Sequence, residues 1–368
     1  MTCSRSKSSV TLHSPYLNEV GFAHVDKEEV LADRKSQLRT QLNNQLYTIK
    51  EGNADMKRIP VLVAAVVLTL ALVVGVVDAK QYTIGIILKS FSNPFWMMCR
   101  SAALAEGQRL GVKVFVVGTT METDFAAQVA QIEDFVTKKV DLICVVPSDA
   151  SALVPAVENA VAKGVPVIAL DSAIRTDKVV SFIASDNVEG GRMAAEFIAQ
   201  KLGGKGSVAV IRGRQGDAVE LERYTGFTET LKKYPNMKIV AEGAANWEAD
   251  QGFNVMEDFL IAHPEIQAVF AESDRMILGA AGACASAKRK DIILVGLDGI
   301  VDALRAVKDG VISADVAQRP DKIGEYAVKY GLEYLQGKTI PKRIVTPMVL
   351  ATPDNVDPLI KIWEDQGY

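Results

Sequence analysis

From residue 82 onward two patterns alternate along the chain. Short aliphatic runs occupy residues 82–88, 113–117, 141–146, 166–170, 179–184, 207–211, 238–242, 268–271 and 292–295. Between them, residues 125–138, 153–163, 190–201, 219–233, 251–262 and 276–287 place apolar side chains at helical spacing. Runs such as LICVV and VPVIAL have no polar alternation, so they predict strands buried on both faces. Strands separated by ten to fifteen helical residues predict β-α-β units and parallel sheets.

The pattern also repeats. Residues 140–171 and 266–298 share one order: a strand, Ser-Asp, an Ala- and Val-rich helix, then a strand ending in Leu-Asp. Ser148 matches Ser273, and Asp171 matches Asp298. This duplication predicts two similar α/β domains rather than one long sheet. Ligands of open parallel sheets sit at the carboxyl ends of the strands. If the two domains face each other by those ends, Asp171 and Asp298 point into one cleft. Taken alone, each aspartate is as well explained as a turn residue or a helix cap. Its matched placement in both halves favours the cleft.

The N-terminal part of the 368-residue chain reads differently. Lys57 and Arg58 precede an apolar run over residues 59–77, and Val77-Asp78-Ala79 follows. This order predicts a secretory signal over residues 56–79, cleaved after Ala79, with a membrane anchor as the alternative. Residues 1–55 are polar and lack a sustained apolar face. Lys50-Glu51-Gly52 can be encoded by a ribosome-binding sequence just ahead of Met56. We therefore expect translation to start at Met56, leaving residues 1–55 as a non-native extension without a fold. The 289 residues from Lys80 carry 32 Lys+Arg and 37 Asp+Glu, a net charge near −5. A mildly acidic exported protein is not built to hold nucleic acid. Cys99, Cys144 and Cys284 are too few and too widely spaced for a disulfide framework or a zinc site, and read as buried thiols.

Most enzyme constellations are missing. The chain has no G-x-S-x-G, H-E-x-x-H, C-x-x-C or phosphate-loop motif. His263 alone remains downstream of the signal, at a helix end, so acid–base work near neutral pH lacks its usual agent. Asp171 and Asp298 could form a glycosidase pair, yet no nearby residue in the sequence marks either for a raised pKa. The polar and aromatic residues at strand and helix ends fit a sugar better. Carboxylates accept hydroxyl hydrogen bonds, Arg and Lys donate them, and Asn and Gln do both. Flat rings can cover the C–H faces. The candidates are Lys89, Asn93, Asp171, Arg223, Asp298 and Gln318, with Phe95, Trp96 and Trp247 as surfaces. In LKSFSNPFWMM (residues 88–98), Asn93-Pro94 is also a helix cap and first-turn proline, and Phe91 is assigned to the core.

The motifs SNPFW, ASDN, ERYTGF, NW, VGLDG and VAQRP occur in this order between residues 92 and 320. Together they resemble the periplasmic sugar-binding proteins of the ribose- and allose-binding family, which serve ABC importers. The resemblance implies the type I periplasmic binding fold: two similar doubly wound parallel-sheet domains joined by a three-crossing hinge. One lobe would take residues 80–184 and 319–347, the other 185–318 and 348–368. It implies that Phe95 and Trp96 cover one sugar face and Trp247 the other. Asn93, Asp171, Arg223, Asp298 and Gln318 would bind hydroxyls, with Lys89 and Ser273 beside them. It implies no cofactor and no metal, a monomeric binding protein rather than an enzyme, and a periplasmic location. The implied partners are a sugar or polyol, a permease with its ATPase, and a chemoreceptor or sensor kinase. The chain departs from ribose binders at Ser172, where they carry arginine, and at Ser273, where ribose and allose binders carry asparagine. Both changes remove long hydrogen-bonding arms and argue against ribose. The alternatives are a sugar-responsive regulator or sensor of the same fold, and an exported carbohydrate-active enzyme.

Overall fold

The computed structural model describes residues 80–368, together with isolated helical positions at 37, 39–41, 43 and 44. The predicted signal segment and the rest of residues 1–55 lie outside the described residues. Lys80–Tyr368 is one compact unit.

That unit contains two six-stranded sheets. The first holds β1 (Thr83–Leu88), β2 (Lys113–Gly118), β3 (Leu142–Val145), β4 (Val167–Leu170), β5 (Ser181–Ala184) and β11 (Arg343–Val345). The second holds β6 (Lys205–Arg212), β7 (Asn236–Ala244), β8 (Ala268–Ala271), β9 (Ile293–Asp298), β10 (Ala314–Ala317) and β12 (Val349–Ala351). Their orders, β11-β5-β4-β3-β1-β2 and β12-β10-β9-β8-β6-β7, superimpose strand for strand. All pairings are parallel except β10 with β12. The duplication read from the sequence is therefore a duplication of topology: β3 matches β8, and β4 matches β9. β3, β4, β8 and β10 are buried at every position, as sheets covered by helices on both faces require.

Helices α1 (Pro94–Leu110), α2 (Phe125–Thr137), α3 (Val154–Ala162) and α9 (Pro320–Leu335) cover the first sheet. Helices α4 (Asn187–Lys201), α5 (Ala218–Leu231), α6 (Ala249–Ala262), α7 (Asp274–Ser286), α8 (Val301–Lys308) and α10 (Asp357–Glu364) belong with the second. The chain passes between the lobes after β5, after β10 and after β11. Two of these crossings are tied side by side. Thr346 N–H donates to Ala184 O at 3.0 Å, and the Ser185 and Thr346 hydroxyls lie 2.9 Å apart.

Helices α4 and α5 touch through backbone. A methyl on Gly191 would lie 2.0 Å from Arg223 O, and one on Gly226 would lie 1.9 Å from Val188 O. Only glycine permits so close an approach, and the approach fixes the N-terminal turns of α5, which carry Arg223, against α4.

Candidate functional site

The residues predicted for the site converge on one cavity between the lobes, of about 40 Å³. The first lobe presents Lys89 after β1, Asn93, Phe95 and Trp96 at the start of α1, and Asp171 after β4. The second presents Arg223 from α5, Trp247 before α6, Ser273 before α7 and Asp298 at the end of β9; Gln318 comes from the crossing after β10. The same cavity is lined by Glu122, Val219 and Arg275, which sequence reasoning missed. Glu122 and Arg275 obey the same strand-end rule that found the others, in the loop after β2 and just past β8.

In the first lobe, Asn93 Oδ1 accepts the Phe95 N–H at 3.0 Å and caps α1, with Pro94 in its first turn. Asn93 Nδ2 donates to Glu122 Oε1 at 2.8 Å, and Trp96 Nε1 donates to the same oxygen at 2.9 Å. Glu122 thereby fixes the amide of Asn93 and the indole of Trp96 together. Phe95 packs edge-on against Trp96, centroids 4.8 Å apart. Phe91 is a correction: assigned to the core, it is 41% exposed. Its ring lies over Gly118 and 5.9 Å from the Arg100 guanidinium, because the turn before Asn93 carries it outside the helix layer.

Lys89 and Asp171 are both 7% exposed. Lys89 Nζ lies 3.9 Å from Asp171 Oδ2 and donates to Ser172 Oγ at 3.3 Å; the Ser172 hydroxyl in turn donates to Asp171 Oδ2 at 2.9 Å. A buried ammonium held this way remains paired while keeping donors free for a ligand. Asp171 has φ +59°, a left-handed conformation that turns its carboxylate out of the strand direction.

In the second lobe, Arg223 is 3% exposed and is not a solvated helix charge. Its Nη1 donates to Asp298 Oδ1 at 3.0 Å and to the backbone oxygen of Glu272, and its Nε donates to Asn187 Oδ1 at 3.1 Å. Gln318 Nε2 donates to the same Asp298 oxygen at 3.0 Å, while Gln318 Oε1 has no partner among the described residues. Trp247 Nε1 donates to Asp217 Oδ2 at 3.2 Å, and the indole lies flat against Gly213, where a methyl would come within 2.1 Å. The Ser273 hydroxyl accepts the Met276 N–H at 3.4 Å and so also caps α7.

Asp298 carries a second correction. Nothing near it in the sequence marks it for a raised pKa, yet its carboxyl is pushed up to about 7. Burial is the main cause; the Arg223 guanidinium pulls the other way, and the carboxyls of Asp274 and Asp171 add to the rise. Those neighbours arrive only by folding. Burial likewise raises Glu272 to about 8, against a hydrogen bond from the Gly213 N–H that favours the ion.

Two lobes of one topology, enclosing charged, amide and indole groups at the carboxyl ends of their strands, define a solute-binding protein that grips its ligand between domains. The chain belongs to the periplasmic binding protein family, whose domain model matches residues 84–339. It is 40% identical over 275 residues to the ribose import binding protein of Bacillus subtilis (strain 168), covering 75% of this chain and 88% of that one. It is 35% identical over 273 residues to the D-allose-binding periplasmic protein of Escherichia coli (strain K12), covering 72% of this chain and 87% of that one. Among solved structures it is similar to an ABC transporter periplasmic solute-binding protein of Actinobacillus succinogenes with bound D-allose. That match has a TM-score of 0.73 and 29% identity, and covers 76% of this chain and 100% of the other.

Proposed function

We propose that the protein is the substrate-binding component of an ABC sugar importer. In this reading it takes a monosaccharide or polyol between its lobes and delivers it to a membrane permease and its ATPase. The observation that carries the reading is the convergence of a carboxylate from each lobe, Asp171 and Asp298, on one cavity with an unpartnered amide oxygen on Gln318. A sugar matches that set. Its hydroxyls donate to the carboxylates and to Gln318 Oε1 and accept from Lys89, Arg223 and Asn93, with Ser273 alongside. Phe95, Trp96 and Trp247 face its C–H surfaces. The lobes that close are residues 80–184 with 319–347, and 185–318 with 348–368. Closure is driven by contacts made to both lobes at once. The site of action is the periplasm, after cleavage behind Ala79.

Relatives named for ribose and for D-allose support a saccharide ligand. Ser172 argues for a hexose or polyol rather than ribose, because its short hydroxyl bonds back to Asp171 and accepts from Lys89. A thermal-shift screen of purified protein against pentoses, hexoses and polyols tests the proposal. A true ligand at 100 times its Kd adds about 2.7 kcal/mol of stability. If no saccharide or polyol raises the melting temperature, the proposal fails.

A further inference from the structure

Behind the cleft, two carboxyls meet with no basic partner. Asp274, the first residue of α7, and Asp315, in β10, are both 0% exposed. Asp315 pairs across the sheet with Gly296 of β9, and a methyl built on Gly296 would lie 2.7 Å from Asp274 Oδ1 and 2.9 Å from Asp315 Oδ2. Among the described residues, Asp274 Oδ1 and both oxygens of Asp315 have no N–H or O–H partner. Two buried carboxylates so close cannot both ionise; one proton between them makes one a donor to the other and removes the repulsion.

The pair bears on the corner that carries Asp298. Asp274 Oδ2 accepts the Ile300 N–H at 2.7 Å, the amide two residues past Asp298. Asp298 has φ +150° and Gly299 has φ +79°, so this corner needs outside support to persist. The charged groups facing the pair are Arg223 from α5 and Asp298 at the end of β9. Arg223 is committed to Asp298 and to the backbone of Glu272.

We propose that Asp274 and Asp315 share a single proton and act as a positioning pair, holding the Asp298–Gly299 corner so that the Asp298 carboxylate faces the sugar. Burial supports this by raising Asp274 well above the ordinary carboxylate range and Asp315 to about 6. The role toward sugar rests on the function proposed above; the shared proton does not.

The test uses the whole protein as wild type, Asp274→Asn, Asp315→Asn, the double Asn variant and Asp274→Ala. Infrared difference spectra at pH 7.5 read the C=O stretch of a buried protonated carboxyl. A shared proton predicts that each single Asn variant and the double variant lose the same band, equal to one carboxyl. A double loss in the double variant, or no loss in any, overturns it. Titration with D-allose reads the positioning role. Asp274→Asn, which keeps an acceptor for Ile300 and a donor for Asp315, should bind within about threefold of wild type, while Asp274→Ala should weaken binding about tenfold or more. Unchanged affinity in Asp274→Ala overturns the positioning role. Hydrogen exchange at the Ile300 amide gives a sugar-independent reading: Asp274→Ala should lose protection there and Asp274→Asn keep it. Failure of wild type to bind any saccharide would count against the proposed function, while infrared and exchange would still decide the pair.

Discussion

Replacing Arg223 by Met keeps most of the side-chain volume and removes the guanidinium. In the wild type that group serves Asp298 Oδ1, Asn187 Oδ1 and the backbone oxygen of Glu272. All three then lose a donor. A buried acceptor without a partner costs about 1–3 kcal/mol. Asp298 avoids part of this by taking up a proton: its carboxyl already sits at about 7 with the guanidinium pulling it down. Two orphaned acceptors leave an expected destabilisation of about 2–6 kcal/mol. The sign of its pH dependence follows. Asp298 in the variant binds its proton to higher pH than in the unfolded chain, so the stability from that proton is complete at low pH and lost as pH rises through the raised value. Urea unfolding should therefore show a larger deficit at pH 8 than at pH 6. For binding, a hydrogen bond with a charged partner contributes about 1.5–3 kcal/mol, or roughly 10–150-fold in Kd. Isothermal titration with the sugar that gives the largest thermal shift reads this directly. A folded Arg223→Met protein that binds within about threefold of wild type would refute the reasoning, since an Arg buried against the sugar-binding carboxylate of Asp298 could not then be silent.

Two further variants probe the lobes and the buried acids. Arg214 Nη2 of the second lobe donates to Ser148 O of the first at 2.8 Å, at the rim of the cleft. Arg214→Ala should raise the sugar off-rate several-fold, about what one hydrogen bond of 0.5–1.5 kcal/mol gives, with unchanged melting temperature; stopped-flow tryptophan fluorescence decides. Glu272 at about 8 lies above its unfolded value, so its contribution to stability is present in acid and disappears as pH climbs through 8. Glu272→Gln should flatten the fall of melting temperature between about pH 5 and 8, the interval from the unfolded to the folded value. An unchanged slope would mean that Glu272 ionises normally.

Most strands were legible because strands buried on both faces leave continuous aliphatic runs, as in β3 and β4. β10, β11 and β12 were not: β10 is four residues, ADVA, with an aspartate inside it, while β11 and β12 have three residues each and β11 is buried at only its central position, so no pattern separates them from loop. The aspartates of the cleft were legible through the repeat, which places Asp171 and Asp298 after matched strands. Glu122 lies within reach of the same strand-end rule, but its role was not legible, because it depends on the loop after β2 reaching across to Asn93 and Trp96. The burial of Arg223 follows from the α4–α5 backbone contact at Gly191 and Gly226, and the raised Asp298 carboxyl from its burial in the closed cleft, with Asp274 and Asp171 adding to it. Each of these is a meeting of distant segments, to which local periodicity is blind. Phe91 was misassigned for the converse reason: an aromatic residue near a strand end carries a core-like signature even where the turn points it outward.

The central claim is that one sugar is held by both lobes, through Asp171 on one side and Asp298 on the other. Isothermal titration of Asp171→Ala and Asp298→Ala with the sugar that binds wild type tests it most directly. Each single variant, folded as judged by circular dichroism, should lose detectable binding. Retained affinity in both would contradict it.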